Sequence, residues 1–168
     1  MKNSRIGPLF LAFLLAAFVA FVAYSSKELP DRVATHFDLH GKANGWMTRA
    51  QHLKFTIGVG VGTPLFILGV FALVAKMKGW GLNIPNKDYW LAPEQQEQTY
   101  AFLQRHGMWL ACLMVVFHAG MFESVVLANS QAPAFLSPAH VAWLTGGFIA
   151  LLVVWIAMLF LRFRVPSK

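Results

Sequence analysis

The sequence predicts an all-α membrane protein: a four-transmembrane-helix bundle with one structured extracytoplasmic loop, N-in and C-in. Three observations predict it. Residues 6–26, 55–75 and 141–161 contain no charged side chain, and residues 107–128 contain one acid, Glu123. A helix of about 21 residues is about 31 Å long, close to the thickness of a bilayer's hydrocarbon core. Apolar residues make up 57% of the chain, more than soluble domains carry. Lys and Arg fall unevenly around the spans: with both termini in the cytoplasm, nine lie inside and five outside, which sets the orientation.

The first span, residues 6–26, follows Lys2 and Arg5. Ala23-Tyr24-Ser25 resembles a cleavage site, but the apolar run exceeds the roughly 7–15 residues of a signal core, so an uncleaved span is expected. The first loop, residues 27–54, is outside in this frame. The second span, 55–75, opens on Gly58, Gly60 and Gly62. Gly58 and Gly62 are spaced to admit a neighbouring helix, and Pro64 frees a backbone carbonyl and predicts a kink. The second loop, 76–106, is cytoplasmic. In it Asn83 to Trp90 reads as a turn-rich cap anchored by Asn86 or Asp88. Pro93, Glu94 and Glu97 mark a helix start that can run on into the third span, 107–128. A short loop stiffened by Pro133 and Pro138 leads to the fourth span, 141–161. Trp46, Trp80, Trp90, Trp109 and Trp143 fall in loops or near span ends, as an interfacial aromatic belt would; Trp155 alone lies deep in a span.

Four spans leave about half of the 168 residues for loops, so a single membrane domain over residues 1–168 is expected, without room for a soluble catalytic core. The net charge of +7 and pI near 9.9 do not point to nucleic acid, because the basic residues sit at span ends and form no run of five. There they meet anionic headgroups. Cys112, the single cysteine, lies within the third span and reads as a packing residue. No Ser-His-acid arrangement, HExxH, Walker loop or GxGxxG occurs, so the expectation is a protein that is not an enzyme.

The first loop holds the densest polar set. If residues 33–39 are extended, His36, Asp38 and His40 share one face, and two imidazoles with a carboxylate can hold zinc or copper. A short strand with half-exposed polar residues explains the same pattern. His36, His40, His52 and His140 all fall at the outer side, His118 near mid-membrane, and His106 inside. Glu123 sits near the outer end of its span at the depth of Lys54. A Glu123–Lys54 ion pair, or one with Arg49, is expected to lock loop to bundle, since intramembrane carboxylates are costly unless paired.

Leu29-Pro30-Asp31-Arg32-Val33-Ala34-Thr35-His36-Phe37-Asp38, with Gly41, Asn44-Gly45-Trp46 and Thr48-Arg49, resembles a bacterial membrane family, the domain of unknown function 1648. It is also similar to the N-terminal part of SdpI-type immunity proteins, and residues 83–94 are similar to a second stretch of such proteins. The resemblance implies a multi-pass protein of the bacterial inner membrane that protects against a secreted antimicrobial peptide and relays its presence to a cytoplasmic regulator. It marks Pro30, His36, Phe37 and Gly41 as outer-loop positions, joined by Asp38 as a candidate contact for ligand or partner. Two further readings stand beside immunity: an extracytoplasmic metal-binding or transport accessory protein using His36, Asp38 and His40, and a structural or assembly subunit of a membrane complex. In the immunity and subunit readings the partners are the bilayer and another polypeptide, and no cofactor is required.

Overall fold

The computed structural model describes residues 6–164. Lys2, Arg5 and Lys168, which enter the charge count, lie outside the described residues. The chain runs α1 (Ile6–Ser25), a 3-10 turn (Ser26–Glu28), β1 (Arg32–Phe37), β2 (Ala43–Thr48), α2 (Arg49–Lys76), the single-turn α3 (Lys87–Trp90), α4 (Gln96–Asn129) and α5 (Pro138–Arg162). α1, α2, α4 and α5 are each long and apolar enough to cross a membrane. The spans are where composition places them; the boundaries differ where local chemistry decides. α2 begins at Arg49, not near residue 55, because Thr48 closes a capping box: its hydroxyl accepts from the Gln51 amide, and the Gln51 side chain accepts from the Thr48 amide. α4 starts at Gln96 and runs unbroken to Asn129, so the second loop's helix and the third span are one rod.

α4 is the axis of the bundle and packs against α1, α2 and α5. In lipid the hydrophobic effect does not draw helices together, so close packing and interhelical hydrogen bonds must. Three glycines supply the close packing. Gly60 of α2 receives the Phe18 ring, Gly107 of α4 receives Phe71, and Gly120 receives Leu144; a Cβ at any of the three would collide with its guest. Gly58 and Gly62, expected to seat a neighbouring helix, seat none among the described residues: a Cβ there would meet nothing of them within 4 Å. Their side of α2 faces away from the bundle. The core joins Leu11, Phe18 and Val22 of α1 to Ala111, Cys112, Val115 and Phe122 of α4, with Leu29 and Val33 closing one end. Cys112 is packed within it.

α5 is held differently. It has no buried residue, and beside the apolar contacts of Leu144 on Gly120 and Phe148 on Phe117 its tie to α4 has a polar part. The His106 ring Nε2 donates to the Trp155 carbonyl at 3.0 Å, and the Trp155 indole N–H donates to the His106 carbonyl at 2.9 Å. The two rings stack 4.3 Å apart, with Phe102 stacked on the other side of His106 at 5.1 Å. At the C-terminus of α5, Phe163 is buried, and its carbonyl accepts from Asn86 Nδ2 at 2.9 Å and from the Trp90 indole at 3.0 Å. Asn86 thus anchors the second loop. Trp90, expected in the interfacial belt, is buried in this contact, and the Arg162 guanidinium lies 4.2 Å from its ring centre.

Trp155→Phe keeps the stack and removes one of the two hydrogen bonds. Interhelical bonds of this kind contribute about 0.6–2 kcal/mol in a membrane, so the variant is expected to melt at a lower temperature in detergent. Unchanged melting would mean that stacking alone holds α5.

Candidate functional site

β1 and β2 form an antiparallel hairpin pairing Arg32 with Thr48, Val33 with Met47 and Ala34 with Trp46, with irregular register near His36. A two-stranded hairpin alone is marginal in water. This one is fixed at three places. At its base Arg49, the first residue of α2, donates to the carbonyls of Leu29 (3.1 Å) and Lys27 (3.4 Å) and to Asp31 Oδ1 (2.6 Å), while its own amide donates to the Asp31 carbonyl at 2.9 Å. At its middle the Asn129 carboxamide brackets Ala34: Oδ1 accepts from the Ala34 amide at 2.8 Å, and Nδ2 donates to the Ala34 carbonyl at 2.9 Å. At its tip Leu136 donates to the Gly41 carbonyl at 2.9 Å.

Gly41 is required there. Its φ is +82°, and a Cβ would run into the Leu136 carbonyl oxygen. The turn before it is built by Asp38, whose carboxylate accepts from the amides of His40 (2.8 Å) and Lys42 (2.9 Å). The Lys42 amide, foremost, holds the Asp38 carboxyl below its ordinary range, with the His40 amide adding to it.

These facts relocate the expected site. β1 ends at Phe37, so Asp38 and His40 lie in the turn, not on a shared strand face with His36. Among the described residues no three His, Cys, Asp or Glu side chains converge as metal ligands, and Asp38 is committed to its turn. The Glu123–Lys54 pair is not formed either. The one ion pair among the described residues is Arg49–Asp31, and Glu123 and Lys54 are both exposed, on different helices. Arg49, the other partner weighed for Glu123, is taken by Asp31 and the chain around it. Pro30 is exposed at the hairpin's base and Phe37 half-buried.

Exposed on the hairpin are Arg32, Trp46 and His36, with Leu39 at the tip 95% exposed. The Arg32 guanidinium lies 5.3 Å from the Trp46 ring centre. Beside the hairpin, between the end of α4, the following loop and the start of α5, is a cleft of about 330 Å³. Ser130, Gln131, Ser137 and His140 line it with Leu127 and Phe135. Beneath the hairpin, His52 and Ser26 are buried, and neither the His52 ring nitrogens nor the Ser26 hydroxyl has a hydrogen-bond partner; the His52 ring stacks on Phe122 at 5.9 Å. Sequence reasoning missed Asn129 and misassigned Arg49. An Asn at the end of an apolar run was the signal for the first.

Residues 11–59 match the model of a protein family described as a domain of unknown function (DUF1648), the one the sequence resembles. The match takes in most of α1, the whole hairpin and the first turns of α2. No curated protein and no solved structure matches the chain.

Two outcomes are expected. Because the folded Asp38 value is lowered, its contribution to the turn is full above the ordinary carboxylate value of 3.8 and is lost as pH falls through the lower folded value. The His40 and Lys42 amide resonances should therefore move together at acid pH, and Asp38→Asn should abolish that titration. His52→Phe replaces unpartnered polar atoms with a ring that can stack on Phe122. Unmade buried hydrogen bonds cost about 1–3 kcal/mol each, so the variant is expected to raise the melting temperature, whereas a fall would show the ring nitrogens in use.

Proposed function

We propose that this is a non-enzymatic binding protein of a bacterial inner membrane, with both termini in the cytoplasm and the hairpin outside. The observation that carries the reading is the hairpin itself: a small sheet fixed to the bundle by Arg49, Asn129 and Gly41 while holding Arg32, His36, Trp46 and Leu39 outward. Loops that are rigidly held and expose aromatic and basic groups are surfaces for recognition. Among the described residues β2 pairs with β1 alone, so its far edge can take an extended chain by strand addition. An aromatic–guanidinium face beside that edge suits apolar and acidic side chains.

The partner we favour is a secreted antimicrobial peptide, as in the SdpI-type proteins that the hairpin segment resembles. A peptide arriving from outside meets the hairpin first. Relay to a cytoplasmic regulator would run along α4, which carries the hairpin clamp at one end and the α5 clamp at the other, provided the peptide favours one of two bundle states.

Cells lacking the protein are expected to be sensitised to spent medium from related strains. Wild type should restore survival, and Trp46→Ala or His36→Ala, inserted at wild-type level, should not. Equal survival in every arm removes the immunity reading, and rescue by both variants removes the hairpin face from it.

A further inference from the structure

Glu123 is the one acid within the apolar stretch of α4, and it faces away from the bundle. So does Lys54 on α2. Each charge sits near the hairpin end of its helix, five residues into α2 and six residues before the end of α4, hence about 8–9 Å along its own helix, and the His52–Phe122 stack sets these turns side by side. Neither has an ionic partner among the described residues. A carboxylate and an ammonium at matched depth in a bilayer, both unpaired, are costly as they stand.

The surfaces around them are complementary in the same register. On the outward side of α2, Gly62 and Gly69 follow Lys54 by 8 and 15 residues, and a Cβ at either would meet nothing within 4 Å. On the outward side of α4, Val116 and Trp109 precede Glu123 by 7 and 14 residues and are 57% and 64% exposed. α2 and α4 cross the membrane in opposite directions. Two copies side by side in one membrane therefore present these helices antiparallel, and aligning Lys54 with Glu123 brings Gly62 within one residue of Val116 and Gly69 within one residue of Trp109. Val116 and Trp109 then lie near two glycines, with Leu65 and Phe66 exposed between them, and small residues of this kind let helices approach closely in lipid.

We propose that the protein self-associates in the membrane through this surface, α2 of one copy packing on α4 of the next with Lys54 paired to Glu123 across the boundary. The occupant is a second copy because the chain itself carries both halves of opposite charge at matched depth, with glycines beside Lys54 and exposed Val116 and Trp109 beside Glu123. Such a contact is head-to-tail, so it builds a ring where the rotation closes.

The test is subunit counting of the full-length protein in lipid nanodiscs and by single-molecule photobleaching in native membranes. Wild type should be oligomeric. Glu123→Lys and Lys54→Glu should each shift the population to monomer, and the double exchange should restore the oligomer. Gly62→Leu should also give monomer, with the helical signal unchanged because a Cβ there meets nothing within 4 Å among the described residues. In a Cys112→Ala background, one copy carrying Lys54→Cys should cross-link to another carrying Glu123→Cys. A monomeric wild type overturns the proposal, whether the surface meets lipid or a different protein. An oligomer indifferent to both single charge reversals and to Gly62→Leu overturns it equally.

Discussion

The bracket that Asn129 places on Ala34 is what makes a water-facing hairpin part of a membrane bundle. A carboxamide carries the same donor and acceptor as a peptide unit, so Asn129 stands in for a third strand on the outer edge of β1. It is rooted in α4, where its Nδ2 also donates to the Val125 carbonyl at 2.8 Å. Without it, a backbone amide and carbonyl at a residue only 1% exposed would have no partner, and unmet buried groups of this kind are what folds avoid. The inward side chains Leu29 and Val33 then complete the core begun by α1 and α4. The hairpin caps the bundle with apolar contacts and is aligned by polar ones.

α4 links the two ends. Near its start, stacked and reciprocally bonded rings hold α5; at its finish, a carboxamide holds the hairpin. The two devices share a logic that low dielectric enforces: each satisfies a donor and an acceptor at once, leaving no half-paired group in apolar surroundings. Among the described residues the exceptions are the exposed Glu123 and Lys54 and, buried near the hairpin, His52 and Ser26.

The four spans were legible because hydrocarbon thickness imposes a length on any apolar run, and the sequence obeys it. The hairpin was partly legible. The segment around Pro30, His36, Phe37 and Gly41 stood out through its resemblance, and Gly41 has a plain steric duty. Asp38 and His40 were misplaced by extending the strand two or three residues too far, although Asp followed by Gly three positions later is ordinary turn chemistry. The Glu123–Lys54 pairing failed for a geometric reason. Depth along two helices can be counted from sequence, but which way each faces depends on packing around α4, and that was set by Gly60, Gly107 and Gly120. The glycines that looked available, Gly58 and Gly62, face outward. Long-range polar ties such as Asn129 to Ala34 join residues 95 apart, and no local pattern announces them.

The attachment of α5 bears on how the chain is made. Every group it docks on, His106 and Gly120 in α4 and Asn86 and Trp90 in the loop before it, precedes it in the sequence. The core of α1, the hairpin, α2 and α4 contains no residue of α5. A chain leaving the ribosome can therefore complete the three-helix body and its cap first, with the last helix arriving at a finished berth. By its contacts α5 docks onto a surface built from elements that precede it in the sequence.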